Sequence, residues 1–350
     1  MPGHLRTLLL GTAHVERGSI LVGPGIRTAA VFGVLASACV ATDQPGYALP
    51  LAIGSVFAAF AEAGESVGRR WRTMAWVTLW IMLAALLGGL LSMAAIAGVI
   101  ASGVFALACG VAGVAGPRAA LGGLLTLVTF TIFLGVPTLP APALDGALLT
   151  GLGGVVMTFV TVGPNLIRNR GALRASLVPV PGLWDRIRPK LRWNDPFVRH
   201  GIRLASLIVV ATVIAEASGV EHSYWLPMTI AWVTKPDPDG TVSRVAGRIV
   251  GTVLGLGACA VLLLPGYVSG YWAVVICTLA AGIIVAFIPA NYSVAVGAIT
   301  VLVVTLFAID GDSVTTEIDV RLITTLLAAA MTVAASFIWR ASDKTRPGPS

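Results

Sequence analysis

Five cations in this sequence border or interrupt long apolar runs: Arg27, Arg72, Arg203, Lys235 and Arg248. Four of them form two pairs, Arg27 with Arg203 and Arg72 with Arg248, each pair 176 positions apart. Guanidinium binds a carboxylate through two parallel hydrogen bonds, so cations gathered at helix ends would attract and hold small organic anions. Tyr47, Trp225 and Trp232 would give such a ligand apolar walls. Pro50 and Pro227 each remove one backbone donor and leave a carbonyl free inside a helix. Glu62 and Glu216 close apolar segments and are the acids expected to relay a proton. The alternative for each cation is a topology anchor, its stem in apolar surroundings and its charge reaching water.

Other chemistries find little support. The histidines (His4, His14, His200, His222) are scattered through tails and loops and suggest no chemistry. Cys39, Cys109, Cys259 and Cys277 sit in apolar helices, none in a CxxC or beside a His at ligand spacing, so no metal and no cofactor is expected. Gly-rich stretches at 151–154 and 251–257 lie within apolar helices with no strand before them, which suits close helix packing better than phosphate binding. No catalytic triad, HExxH or carboxylate pair is present, and an enzyme is not expected.

The elements that must position these residues follow from composition. Of 350 residues 57% are hydrophobic and only 11% charged, which excludes both a soluble globule and a disordered chain. Between Arg72 and Arg118 lie 45 residues without a charged or His side chain, and between Arg248 and Asp310 there are 61. A spanning helix needs about 20 apolar residues. Nothing in these runs alternates as a β-barrel strand would. Cutting at Gly, Pro and charges predicts an all-α, polytopic bundle of about twelve helices, near 25–42, 46–62, 69–91, 93–114, 118–136, 144–167, 199–219, 223–235, 241–264, 271–288, 291–309 and 319–339. Asp145 and Asp319 are expected to start helices, where a carboxylate suits the dipole.

The chain reads as a duplication. Gly25-Ile26-Arg27 recurs as Gly201-Ile202-Arg203, Tyr47-Ala48-Leu49-Pro50 as Tyr224-Trp225-Leu226-Pro227, and Met157-Thr158 as Met331-Thr332, all at offsets of 174 to 177. Six helices per copy bring both copies into the membrane in the same sense, giving a parallel 6+6 repeat with a seam along the membrane normal. The expected organisation is a cytoplasmic segment 1–24, repeat one at 25–167, a basic cytoplasmic linker 168–198, repeat two at 199–339 and a tail 340–350. With the N-terminus inside, every Lys and Arg except Arg321 falls on the cytoplasmic side, so the net charge of +7 reports topology and not nucleic-acid binding. Both termini are then cytoplasmic. Tyr47, Tyr224, Trp225, Tyr267, Tyr271 and Trp272 fall at outer helix ends, as an interfacial aromatic belt would. The linker cations, among them Arg170, Arg174, Arg186, Arg188, Lys190 and Arg192, suit a connector lying against anionic lipid, or a regulatory site.

The second and eighth helices are short and carry a Pro near the same end, at matching places in the two copies. Short or Pro-interrupted segments so placed point to a transport site. The stretch from Tyr224 to Gly255, YWLPMTIAWVTKPDPDGTVSRVAGRIVGTVLG, resembles the signature of the fusaric acid resistance-like (FUSC) family. Its matching features are Trp225-Leu226-Pro227, Lys235-Pro236-Asp237, then Arg244, Arg248, Gly251, Thr252 and Gly255. The first copy departs from it, with Ala61-Glu62-Ala63-Gly64-Glu65 in place of the Lys-Pro-Asp run. The resemblance implies an inner-membrane secondary transporter that exports small, often aromatic, organic acids, with the proton gradient as one candidate driving force. A passive anion channel along the seam and a non-transporting membrane scaffold remain alternatives. The partners expected are a small organic anion and membrane lipid, with the duplication making a functional monomer plausible.

Overall fold

The computed structural model describes residues 12, 14–62, 69–168, 182–188, 191–193, 195–263, 270–310 and 314–338. Among them the chain is all-α. The helices are α1 (Val22–Ala41), α2 (Ala48–Glu62), α3 (Arg70–Leu91), α4 (Ala95–Ala112), α5 (Pro117–Leu134), α6 (Pro140–Arg168), α7 (Pro196–Ser218), α8 (Trp225–Val233), α9 (Pro238–Leu263), α10 (Gly270–Phe287), α11 (Tyr292–Asp310) and α12 (Val314–Ile338). A five-residue helical segment, Leu183–Ile187, lies between α6 and α7.

Among the described residues ten helices are long and apolar enough to cross a bilayer. The two that are not are α2, with 15 residues, and α8, with 9. At 1.5 Å per residue α8 is about 14 Å long, less than half of a hydrocarbon core. Val34, Ile96, Ile100, Phe159 and Val261 stand exposed on the outer helices, a surface that lipid covers and water would not. This is a multi-pass membrane protein.

Several boundaries differ from expectation for one reason. α6, α7 and α9 start at Pro140, Pro196 and Pro238, upstream of the expected starts, because a Pro in the first turn sacrifices no helical hydrogen bond. Asp145 therefore lies in the second turn of α6, and Asp319 in the second turn of α12, rather than at helix starts. Glu317 occupies the first turn of α12 instead.

The short helices lie innermost. Every residue of α8 is buried, and so is all of α2 except Leu49. α2 packs on α6, α3 and α1, while α8 packs on α12, α7 and α5. Trp232 of α8 meets Phe57 and Phe60 of α2 edge-on, at 6.3 and 6.4 Å between ring centres. That aromatic cluster fills the centre of the bundle. Around it α1 packs on α10 and α7 on α4. Both crossings depend on glycine: a Cβ on Gly25 would lie 2.8 Å from the Gly282 carbonyl, and one on Gly110 would lie 2.6 Å from the Cα of Gly201. Close approach without a side chain is how helices pack where no hydrophobic force separates protein from solvent.

The aromatic belt needs correction. Tyr47, Tyr271 and Trp272 are exposed, but Tyr224 and Trp225 are buried core residues. Tyr267 lies outside the described residues, as do the linker cations Arg170, Arg174 and Lys190.

Candidate anion site

The centre of interest is a pair of guanidiniums in the second half. Arg248 is the eleventh residue of α9, about 15 Å along it and so well inside an apolar helix. Arg321 comes from α12, which runs the opposite way. Arg248 is 1% exposed and Arg321 fully buried. Burying an unpaired charge is costly, by several kcal/mol in effective terms. Yet among the described residues no acceptor lies in bonding geometry to Nε, Nη1 or Nη2 of Arg321, nor to Nε or Nη1 of Arg248, although the Tyr292 hydroxyl stands beside Arg248. Arg248 Nη2 donates one long bond, 3.4 Å, to Thr229 Oγ1 on α8. Arg321 lies 4.7 Å over the ring of Trp225, a cation–π contact that steadies the charge without using its N–H donors. The two guanidiniums are near enough to repel one another, with Tyr224, Tyr292 and Glu317 also in electrostatic range of Arg321. Two like charges buried side by side, with open donors beside an indole face, are an arrangement that an anionic group would neutralise.

The polar path continues toward the end where α8 begins. Glu317, one helical turn before Arg321, is 2% exposed and bonds His222 Nδ1 at 2.7 Å through Oε1, while its Oε2 has no protein donor. The His222 ring stacks on Trp225 at 5.2 Å and lies against Phe307 at 4.2 Å. Its φ of 57° places it in the left-handed region at the turn into α8. Beyond it opens a vestibule of about 430 Å³, bounded by Glu216, Glu221, His222, Tyr224, Pro227 and the loop Gly135–Pro137. That volume is of the order that small organic ligands occupy.

The residues singled out from sequence divide into groups. Arg248, Trp225 and Pro227 converge on the region just described, Pro227 from the vestibule wall. Trp232 belongs to the aromatic cluster on α2, one turn of α8 from Thr229. Arg203 is buried in α7 and donates to the carbonyls of Lys235 and Pro236, so it holds the C-terminal end of α8. Arg27 does the corresponding work for α2 by pairing with Glu62, which also accepts from Arg70 at 3.0 Å. Glu62 is thus engaged by two guanidiniums. Lys235 is half-buried in the turn between α8 and α9; burial, then the nearby Arg244 charge, push its amine down to about 8, against the pull of Asp237. Arg72 stands half-buried in the first turn of α3, far from the depth that Arg248 reaches in α9. Tyr47 is exposed and Pro50 is buried within α2. Glu216 is exposed on α7 at the vestibule.

Sequence reading missed Arg321, Glu317 and His222. A signal was present for Arg321, the one cation that the charge rule left on the wrong side. Glu317 and Arg321 also stand at i and i+4 on one helix, the spacing of an ion pair. His222, set aside as a loop histidine, is in fact bonded to a buried carboxylate.

Residues 210–335 match the family model described as fusaric acid resistance protein-like. That segment, about a third of the chain, is similar to the family. It contains His222, all of α8, Arg248, Glu317 and Arg321, while the vestibule loop Gly135–Pro137 lies outside it. The chain is 32% identical over 161 residues to an uncharacterized protein of Neisseria gonorrhoeae, covering 45% of this chain and 37% of that one. It is 33% identical over 170 residues to an uncharacterized protein of Synechocystis sp., covering 47% and 22% of the two chains. To the inner membrane protein YccS of Escherichia coli it is 28% identical over 158 residues, covering 45% and 22%. The matches thus span between about a fifth and two fifths of these relatives. No solved structure matches the chain.

Proposed function

We propose that the protein is an inner-membrane secondary transporter that exports small organic acids, aromatic ones among them, through a parallel 6+6 bundle. The observation that carries this reading is the Arg248–Arg321 pair, two buried guanidiniums with open donors beside Trp225. A carboxylate accepts from both cations and the ring of an aromatic acid lies against indole, which pays for the burial of charge that α9 and α12 otherwise bear alone. Lys235 and Arg72 at the basic end draw anions in, and the acidic vestibule at the other end favours release. Arg27 and Arg203 act as pins for the short helices. The reciprocal packing of α1 on α10 and α7 on α4 supports the repeat, since each first helix then embraces the fourth helix of the other copy. Charge asymmetry puts the basic end and both termini in the cytoplasm.

Flux from liposomes holding the purified protein tests the reading, with benzoate, salicylate and malate as substrates and with or without an imposed pH gradient. Uphill movement that needs the gradient is expected. Downhill flux indifferent to pH makes the protein a channel instead, and absence of flux for all three acids removes the transport reading for this ligand class.

A further inference from the structure

Glu317 has two positions open to it and takes only one. It lies a single turn from Arg321 on the same face of α12, yet it bonds His222 and leaves all three Arg321 nitrogens without an acceptor. A buried carboxylate and a buried guanidinium at i, i+4 would ordinarily pair. What keeps them apart is the imidazole, itself held by Trp225 and Phe307 and reachable from the vestibule.

We propose that His222 and Glu317 form a proton-operated latch over the Arg248–Arg321 site, in which Glu317 is a built-in competitor for the substrate carboxylate. With His222 charged, Glu317 stays on the imidazolium and Arg321 is open to a ligand. With His222 neutral, Glu317 turns to Arg321 and takes the place of the ligand. Histidine is the side chain whose charge ordinarily changes between about pH 5 and 8. Other charged and titratable groups surround the pair. Glu216 of α7 and Glu221 of the preceding turn line the vestibule, Tyr224 heads α8, and Arg248 and Cys259 come from α9. Tyr292 comes from α11, while Asp319 is exposed on α12. Glu317 bonds the imidazole and is also in electrostatic range of Arg321. The sign follows: anion affinity is high at low pH and falls as pH rises.

The proposal rests on the anion reading above, and its test separates the two. Binding of benzoate, salicylate and malate to the full chain in detergent is measured at pH 5.5 and 8.0. Wild type is expected to lose about tenfold in affinity on going to pH 8.0, the usual scale of such coupling. Glu317→Gln removes the competitor and should bind tightly at both values. His222→Gln should bind weakly at both, and the double variant His222→Gln/Glu317→Gln should recover tight binding, a rescue that a merely structural role does not give. Arg321→Gln should bind weakly with or without Glu317→Gln. If Arg321→Gln loses binding while Glu317→Gln keeps the wild-type pH course, the latch is wrong and the anion site stands. If wild type binds none of the three acids at either pH, the anion site and the latch both fall. Should His222→Gln not survive purification, Glu317→Gln alone decides.

Discussion

The two inner helices, α2 and α8, occupy matching places and are buried to the same degree, but their charges are treated in opposite ways. At α2 the acid Glu62 is held by Arg27 and Arg70, and the rest of the helix is apolar or small. Around α8 two guanidiniums are buried with most of their donors open. A buried ion pair that is complete serves architecture; a buried charge that is incomplete costs stability and persists where a ligand completes it. In the proposed repeat, then, one frame is a support and the other carries the proposed site. The match to family sequence falls on the second half alone, 210–335, in keeping with that division.

The largest effect on ligand binding expected from breaking this contrast is at the open pair. Arg248→Gln or Arg321→Gln should weaken carboxylate binding by about 10- to 150-fold, the worth of hydrogen bonds to a charged group. Equilibrium binding checks this, and an unchanged affinity in both variants removes the pair from the site. Next comes the closed cluster. Glu62→Gln leaves two guanidiniums facing a neutral amide and should destabilise the fold by about 3 kcal/mol, with affinity for benzoate unchanged. Denaturation in mixed micelles would show it; a large loss of binding with intact stability would mean that α2 holds ligand too. Trp232→Ala opens a void against Phe57 and Phe60 and should cost about 3 to 5 kcal/mol, again by denaturation, without moving the anion site.

The smallest effect is at the basic end. Lys235 titrates near 8 because burial and Arg244 disfavour its charge. Between about 8 and the ordinary lysine range the unfolded chain binds more protons than the folded one, so stability rises with pH across that window. Attraction of substrate moves the other way, since the cation is lost above pH 8. Lys235→Arg keeps the charge and should flatten a two- to threefold decline in initial flux above pH 8, an order of magnitude set by one screened charge. A decline that persists in Lys235→Arg assigns it to another group.

Much of the frame was legible before any coordinates. Long uncharged runs locate helices because a bilayer demands about 20 apolar residues in a row, and the short pair at α2 and α8 stood out against that length. Helix starts moved where Pro could open a helix earlier than charge suggested, as at Pro140 and Pro238. The site was legible only in part. Arg248 and Trp225 were found because they sit in a motif, whereas Glu317 and Arg321, which complete the site, lie 69 and 73 residues from Arg248 on α12. Sequence spacing carries no signal for a contact made across helices. Depth was misjudged for the same reason: Arg248 looked like a residue of the first turns until Pro238 lengthened α9 beneath it.

One comparison bears most directly on the claim that Arg321 is kept for a ligand. Wild type and Arg321→Met are measured side by side for thermal stability and for benzoate flux in the same liposomes. Methionine fills similar space without an unpaired charge, so the account predicts equal or greater stability together with loss of flux. A variant that carries benzoate as wild type does, or one that loses flux only because it unfolds at lower temperature, contradicts it.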